Sequence, residues 1–249
     1  MDITGKHALI TGGGSGIGRA TAIALAERGA AHISLIDVNA KGLEESAELV
    51  RRTGTAASTI TCDVSDSAAL AVAFATAATT APLDIVYNNA GVVSGAHLFP
   101  TAPSARVEQV FGININGVVI GTQLAVEHMA GRGGVVVNTV STAFNNTTFR
   151  DILYSTSKAA VAHFTLAAAQ IEEPTGVRVC GVSPGLVDTP ILDTTGGDKR
   201  ADWMEPILTN NRALPPRAIA EGVVKQIEDD GSAGTILVVA GEWFDAQAA

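Results

Sequence analysis

The sequence predicts an α/β fold in which a doubly wound sheet of seven parallel strands is covered by helices on both faces. Seven short apolar segments recur along the 249 residues, and Ala-rich segments of helical length separate them. Strict alternation of strand and helix is typical of a parallel sheet with helical crossovers. Because the strand segments are continuously apolar, we expect both faces of the sheet to be buried.

The predicted elements occupy most of the chain. Strands are predicted at residues 8–10, 33–36, 58–62, 85–87, 135–138, 177–182 and 235–239. Helices are predicted at residues 18–28, 43–51, 68–77, 104–129 and 155–172. No internal repeat and no long linker interrupts them, so residues 1–249 are expected to form a single domain.

The composition excludes several classes of protein. Hydrophobic residues make up 47% of the chain and charged residues 16%, which excludes a disordered chain. The formal net charge of −9 and the lack of a Lys/Arg cluster argue against a nucleic-acid partner. The five histidines show no ligand spacing with Cys or carboxylate residues, so no metal site is predicted.

The N-terminal region and the cysteines indicate a cytoplasmic location. The apolar run at residues 7–10 is too short for a signal peptide, and we expect no stretch of about 18 apolar residues that would cross a membrane. Cys62 and Cys180 lie in apolar strand segments, where they are expected to be buried and reduced.

A glycine-rich loop follows the first predicted strand and leads into a helix. Residues 11–18 read T-G-G-G-S-G-I-G, and the candidate cofactor contacts are Gly12, Ser15, Gly16, Ile17 and Gly18. Glycines allow a close backbone approach to a pyrophosphate, whose charge the helix N-terminus favours. The spacing G-x-x-x-G-x-G differs from the general dinucleotide fingerprint, so taken alone it also fits an ordinary glycine-rich loop.

The end of the second strand favours NAD as the cofactor. Asp37 stands there, 19 residues after Gly18. Its carboxylate can accept both ribose hydroxyls of the adenosine half and would repel the 2′-phosphate of NADP. Arg19 is a nearby cation that could in principle turn toward such a phosphate. NAD is therefore predicted in preference to NADP.

Two further strands end in residues that suit the same edge of the sheet. Asp63 could bind the adenine amino group and Val64 could lie against the ring. Asn89, Ala90 and Gly91 follow the fourth strand, beside the crevice where the strand order is expected to reverse. Taken alone, that motif could merely form a turn.

A phenol and an ammonium are expected on one face of a helix. Tyr154 and Lys158 are four residues apart, and Ser141 stands thirteen residues before the tyrosine, after the fifth strand. Most Y-x-x-x-K matches are surface pairs. Because a free phenol has a pKa near 10, Tyr154 would need a nearby positive charge to act as a base at neutral pH. Ser141 could hold a substrate oxygen while Tyr154 transfers the proton.

These motifs occur in the order found in the short-chain dehydrogenase/reductase family, and the chain resembles the single-domain members of that family over residues 5–190. The matching positions are T-G-x-x-x-G-x-G at 11–18, Asp63, N-N-A-G at 88–91, N-x-x-G at 114–117, Ser141, Y-x-x-x-K at 154–158 and P-G-x-V-x-T at 184–189. The resemblance implies a Rossmann fold and hydride transfer between NAD and an alcohol or ketone. It also implies a homo-oligomer, either a dimer or a tetramer.

The resemblance also assigns roles to residues that the sequence alone does not single out. It implies that Asn114 holds a water that completes a proton relay with Lys158 and Tyr154. It further implies that the nicotinamide is supported by Pro184, Gly185, Val187 and Thr189.

Residues 190–216 interrupt the strand–helix pattern with glycines and prolines while keeping large apolar residues, so they are predicted to form a mobile substrate-binding lid. The candidate substrate contacts are Val93, Phe144, Phe149, Leu186, Leu192 and Trp203. A hydrophobic secondary alcohol or ketone would suit this lining. Each of these residues could equally belong to the core or to an interface.

Two features depart from the usual family pattern. The last strand is followed by A-G-E-W-F at residues 240–244, an ending that resembles the prostaglandin-dehydrogenase-like branch, whose members act on lipid-like alcohols. The polar stretch at residues 145–148 is expected to face solvent or a polar end of the substrate. Two alternatives stay open: an NAD-binding regulatory or scaffold protein of the same fold, and an NADP-dependent carbonyl reductase.

Overall fold

The computed structural model describes residues 1–241, and one parallel sheet of seven strands organises them. The strands are His7–Thr11 (β1), His32–Asp37 (β2), Ala56–Thr61 (β3), Ile85–Asn88 (β4), Gly134–Thr139 (β5), Val177–Pro184 (β6) and Ile236–Val239 (β7). Their order across the sheet is β3-β2-β1-β4-β5-β6-β7, and every neighbouring pair is parallel. The predicted fold class is confirmed.

Helices cover both faces of the sheet. They are Gly16–Glu27 (α1), Ala40–Arg52 (α2), Ser67–Ala78 (α3), Ser104–Phe111 (α4), Gly117–Met129 (α5), Ile152–Ala167 (α6), Glu172–Thr175 (α7), Glu205–Asn210 (α8) and Pro216–Glu228 (α9). A π-helical stretch, Gly112–Asn116, joins α4 to α5. The predicted helix at 104–129 is therefore continuous but has one irregular turn.

The continuous apolar character of the strands reflects burial on both sides. Neighbouring strand residues point to opposite faces, so Ile10 lies in one core cluster and Leu9 in the other. Leu25 of α1 packs into the first cluster, while Phe74 of α3 and Met129 of α5 pack into the second. All five of these side chains are fully buried.

The strand order reverses between β1 and β4, and this reversal positions the site. The chain first builds outward through β2 and β3 and then returns to place β4 on the other side of β1. The loops that follow β1 and β4 consequently diverge and leave a crevice at the carboxyl edge of the sheet.

The expectation that no segment is apolar enough to cross a membrane is wrong for one helical run. The segment Ser104–Met129 has an 18-residue window with a mean hydropathy of 1.3, so by length and composition alone it is apolar enough to cross a membrane. Val118, Ala125 and Met129 bury the inner side of this run in the fold, which accounts for its apolar residues. Close approach also matters here, because a Cβ at Gly121 would lie 2.4 Å from Asn88 Oδ1.

Both cysteines are buried and free, as expected. Burial raises the pKa of the Cys180 thiol to about 11. The segment at 190–216 contains two short 3-10 turns, Pro190–Thr194 and Asp202–Met204, before α8. It therefore has local helical structure but no strand.

Candidate active site

A cavity of about 1190 Å³ runs along the carboxyl edge of the sheet. The loops that follow the first six strands all contribute to its lining. Asp37 lies in the lining after β2, and Trp203 lies in it on the segment at 190–216. Because the parallel strands all end at this edge, side chains far apart in the sequence meet in one crevice.

The glycine-rich loop packs directly on the segment that follows β4. Gly12 has a φ of +66°, and a Cβ there would lie 2.8 Å from Asn89 Nδ2 and 2.9 Å from Ala90 Cα. The Asn89 amide donates to the carbonyls of Thr11 (3.1 Å) and Gly12 (3.3 Å). Asn89 thus braces the loop with its side chain while it also lines the cavity.

The start of α1 forms a cradle for an anion. Ser15 is the extended N-cap residue and makes no side-chain capping bond, and Ser15, Gly16 and Ile17 line the cavity. The N–H groups of a first helical turn have no partner within the helix, and the helix dipole favours negative charge there. This part of the site fits the pyrophosphate of a dinucleotide.

Gly18 acts differently from the other predicted glycines. It does not line the cavity and is buried in the first turn of α1. A Cβ at Gly18 would lie 2.1 Å from the carbonyl oxygen of Gly12. Its role in this structure is to let the helix pack against the loop.

Asp37 is held by the backbone at the end of β2. Its Oδ2 accepts a hydrogen bond from the Gly14 N–H (3.0 Å), and its Oδ1 accepts one from the Asn39 N–H (3.0 Å). Each carboxylate oxygen can accept a further hydrogen bond, and Asp37 lines the cavity. The arrangement suits two ribose hydroxyls.

Arg19 is engaged by other groups. Its guanidinium donates to the Gly14 carbonyl (2.6 Å), to Ser46 Oγ (2.9 Å) and to Glu45 Oε2 (3.0 Å). A turn toward a 2′-phosphate would break these bonds, which weakens the alternative that the sequence left open.

The remaining adenosine-side residues also lie in the lining. Asp63 and Val64 follow β3 and line the cavity. Ser65 donates to Asp63 Oδ1 from its N–H (2.9 Å) and its hydroxyl (2.7 Å). Asp66 caps α3 by accepting from two backbone N–H groups. Asp63 is therefore not the cap of that helix.

The phenol and the ammonium share one wall of the cavity. Lys158 is only 2% exposed, and its Nζ donates to the Thr139 carbonyl (2.9 Å) and lies 5.8 Å from the Tyr154 ring centroid. Ser141 is also buried, and its Oγ accepts from the Ala143 N–H (3.2 Å). Ser141, Tyr154 and Lys158 all line the cavity, as the spacing predicts.

Burial shifts the two ionisable groups in opposite directions. It raises the pKa of the Tyr154 phenol, an effect that a hydrogen bond with Ser141 opposes and the charge of Asp151 reinforces. It lowers the pKa of the Lys158 ammonium to about 8. Both shifts disfavour charge, so formation of the phenolate calls for positive charge beside the ring.

Asn114 lies behind the cavity wall rather than in it. It is fully buried in the π-helical stretch. Its Oδ1 accepts from the Val92 N–H (2.8 Å), and its Nδ2 donates to the Val92 carbonyl and to Ser157 Oγ (both 2.9 Å). A Cβ at Gly91 would lie 3.4 Å from Asn114 Oδ1 and 3.6 Å from Lys158 Nζ. Asn114 thus positions the loop after β4 against α6.

Asp151 is a site residue that the sequence analysis missed. It is 2% exposed and caps α6, accepting a hydrogen bond at Oδ1 from the Tyr154 N–H (3.1 Å). Its oxygens also accept from the N–H (2.7 Å) and the hydroxyl of Ser94. Arg106 in turn donates to the Ser94 carbonyl (2.8 Å). The sequence did contain a signal for this residue, because an aspartate directly before a predicted helix is a typical N-cap.

The nicotinamide-side residues of the family motif also border the cavity. They are Pro184, Gly185, Val187 and Thr189. Val187 is held by a bridge to Leu214, and the Thr189 hydroxyl donates only a long bond of 3.5 Å to the Val187 carbonyl. Thr189 can therefore turn its hydroxyl toward a ligand at little cost.

Most of the predicted substrate residues come together, and one does not. Val93, Phe149, Leu186, Leu192 and Trp203 line the cavity. The Phe149 ring lies 6.1 Å from the Tyr154 ring and 6.0 Å from that of Trp203. Phe144, in the 3-10 turn Thr142–Asn145, is 37% exposed and does not line the cavity, so the structure does not bring it together with the other five. Its contact with a substrate stays a prediction.

The polar stretch at 145–148 also forms part of the cavity lining. The sequence could not decide whether this stretch faces solvent or a substrate. In the structure its residues are at least partly exposed and also line the cavity, so they form part of the cavity rim. Asn146 Oδ1 fixes its shape by accepting from the N–H (3.0 Å) and the hydroxyl (2.7 Å) of Thr148. Within residues 1–241, no three His, Cys, Asp or Glu side chains are grouped as metal ligands would be.

Comparison with known proteins decides the family. The model of the short chain dehydrogenase family matches residues 6–200. The chain belongs to the short-chain dehydrogenase/reductase family. Members of this family are oxidoreductases that act on CH–OH groups, and the resemblance drawn from the motifs is confirmed.

Several relatives of the short-chain dehydrogenase match nearly its whole length. Cis-4-hydroxycyclohexanecarboxylate dehydrogenase of Sinomonas cyclohexanicum is 35% identical, with 95% of each chain covered. The NAD(+)-dependent 15-hydroxyprostaglandin dehydrogenase of Mus musculus is 32% identical over 96% of this chain and 91% of the relative. The crystal structure of levodione reductase has a TM-score of 0.86 at 29% identity, covering 98% of this chain and 99% of that one.

The prostaglandin dehydrogenase among these relatives agrees with the branch that the C-terminal sequence resembles. Residues 242–244, on which part of that resemblance rests, lie outside the described residues.

We predict that Asp151→Ala lowers the free energy of unfolding by about 2–3 kcal/mol, because it removes a helix cap and leaves the buried Ser94 donors without partners. Asp66→Ala, which removes only an exposed cap, should cost about 1 kcal/mol and serves as the matched control. Urea denaturation of the two variants measures both values. Equal losses would show that the Ser94 contacts add nothing to stability.

Proposed function

We propose that this enzyme is an NAD-dependent dehydrogenase of hydrophobic secondary alcohols, working reversibly with the ketones, and that Tyr154 is its proton-transferring group. The observation that supports it is the position of Tyr154, Ser141 and Lys158 on one wall of a cavity that also holds Asp37. A regulatory or scaffold protein would have no need to keep such a buried polar set.

The choice of NAD over NADP rests on two neighbouring side chains. Asp37 presents a carboxylate where a 2′-phosphate would lie, and Arg19 is bound to Gly14, Ser46 and Glu45 instead of facing that position. The NAD(+)-dependent prostaglandin dehydrogenase among the relatives supports the same choice.

The proposed chemistry assigns one task to each side chain. The Ser141 hydroxyl donates a hydrogen bond to the substrate oxygen, and the Tyr154 phenolate removes the alcohol proton or, as phenol, returns it to the ketone. Lys158 supplies positive charge beside the phenol and would bind the ribose of the cofactor. Bound at this site, NAD would accept the hydride from the carbinol carbon. A proton path through a water at Asn114 stays a prediction.

The proposed substrate is apolar because the walls on the Tyr154 side are apolar. Phe149, Leu192 and Trp203 face this part of the cavity, and residues 190–216 would close over it as a lid. Two of the relatives are named as dehydrogenases of a hydroxycyclohexanecarboxylate and of a hydroxyprostaglandin, whose carbon skeletons would suit such a lining.

The tyrosine assignment is tested by Tyr154→Phe, which keeps the ring and removes the hydroxyl. Oxidation of secondary alcohols, followed by NADH absorbance, should fall roughly a thousandfold, because the proton has no acceptor. Calorimetric binding of NAD should be nearly unchanged, which shows that the site has kept its shape. Full turnover by the variant would exclude Tyr154 as the base.

Cofactor choice is tested by Asp37→Ala. The variant should bind NAD more weakly and lose roughly tenfold or more of its discrimination against NADP, since it lacks both an acceptor and a repulsive charge. Glu48→Gln removes an equal charge from the exposed side of α2 and should change neither quantity. Unaltered discrimination in Asp37→Ala would remove this residue from its role.

The pH dependence tests the charge of Lys158. Burial raises the pKa of Tyr154, so kcat/KM for alcohol oxidation should rise with pH as the phenolate forms. In the NAD complex, the positive charge of the oxidised nicotinamide would lower the pKa of the phenol into the range in which the Lys158 ammonium, with a pKa of about 8, is still charged and favours the phenolate. Lys158→Met should therefore move the rising limb upward by roughly one pH unit or more. Lys158→Arg keeps the positive charge and should shift the rising limb less than Lys158→Met does. The same pH profile in both variants would contradict a role for the charge of Lys158.

A further inference from the structure

Charged side chains are unevenly distributed along the cavity. Asp37 and Asp63 lie at the adenosine side, and Lys158 belongs to the catalytic wall. Asp151 is 2% exposed, and its oxygens are engaged by Ser94 and Tyr154. Among residues 1–241, the one further charged side chain in the lining is Arg150, which directly precedes the cap of α6.

Arg150 differs from most arginines of the chain. Nine of the eleven arginines donate side-chain hydrogen bonds within the protein. Across residues 1–241, Arg150 and Arg212 donate none and form no ion pair. Both are exposed, but only Arg150 lines the cavity. Its guanidinium is therefore available to a ligand in the cavity.

The surroundings of Arg150 combine polar and apolar groups. Phe149, its neighbour in the chain, packs against the rings of Tyr154 and Trp203. The amides and hydroxyls of residues 145–148 border the same rim and carry no charge. A ligand reaching from Tyr154 to this rim would pass apolar walls first and meet the guanidinium at its far end.

The geometry points to an anionic substrate: a secondary hydroxy acid whose apolar body lies against Phe149 and Trp203 and whose carboxylate binds Arg150. This inference deepens the proposed function and rests on it, since the hydroxyl must reach Tyr154. A guanidinium matches a carboxylate by two parallel N–H···O bonds. A single cation beside neutral donors suits one negative charge better than the two of a phosphate monoester.

The contact would act on binding and not on chemistry. The carboxylate lies away from the reacting carbon, so Arg150 stabilises the bound substrate and the transition state equally. Loss of the arginine should therefore appear in KM, with kcat nearly unchanged. The overall charge of −9 would otherwise repel such a substrate, which makes one exposed cation at the rim more significant.

The test compares secondary hydroxyalkanoates with their methyl esters in the wild type, Arg150→Gln and Arg212→Gln, using NAD and NADH absorbance. Arg150→Gln should lower kcat/KM for the acids roughly tenfold through KM and leave the esters within about twofold. Arg212→Gln removes another exposed charge, which lies outside the cavity lining and has no partner in the described part of the chain, and it should leave both substrates unaffected. The effect on the acids should weaken as salt is added.

Two failures can be told apart. If the wild type oxidises esters and acids equally well, or Arg150→Gln changes both alike, the carboxylate contact is overturned while the dehydrogenase assignment stands. If no alcohol is oxidised, the proposed function fails. Calorimetry with a medium-chain alkanoate that lacks the hydroxyl then tests the anion site alone: roughly tenfold weaker binding to Arg150→Gln supports the contact, and equal affinity overturns it.

Discussion

The burial of both faces of one parallel sheet is the constraint on which the rest of this structure depends. Each buried strand must be apolar on both sides, and each parallel connection must cross over through a helix. The polar residues of the loops consequently lie beyond the ends of the strands, at the amino edge or the carboxyl edge of the sheet. At the carboxyl edge they meet as the loops after β1 to β6, and the reversal of strand order beside β1 opens a space between them.

The same burial sets the electrostatics of the catalytic wall. Tyr154 and Lys158 lie in a poorly solvated region, so the pKa of the phenol rises and the pKa of the ammonium falls. The Thr139 carbonyl compensates part of the cost of burying Lys158 by accepting its hydrogen bond. A phenol with a raised pKa stays uncharged at neutral pH, even beside the Lys158 ammonium, and is then a poor base by itself. In the proposed function, the positive charge that a bound oxidised nicotinamide brings would complete the site.

Hydrogen bonds between loops hold this wall in place. Asn114 ties the loop after β4 to α6, and Asp151 ties Ser94 of that loop to the helix turn that contains Tyr154. Asn114 lies outside the cavity lining and Asp151 lies within it. Both position Tyr154, Asp151 by accepting from the Tyr154 N–H and Asn114 through Ser157, whose hydroxyl donates to the Tyr154 carbonyl. Deep positioning residues of this kind explain why the motif residues have a fixed geometry.

The sequence by itself determined the seven strands, their parallel direction and the glycine-rich loop. It also placed Asp37 and Ser141 at strand ends, and Tyr154 and Lys158 one helix turn apart. These features are local, since they depend on periodicity and on short spacings. Only the tertiary structure decided that Gly18 packs behind the loop, that Phe144 is exposed and that Asp151 binds a distant loop. It also decided that Arg150 lines the cavity and has no side-chain partner within residues 1–241. Each of these depends on how elements far apart in the chain pack together, and no local pattern encodes that arrangement.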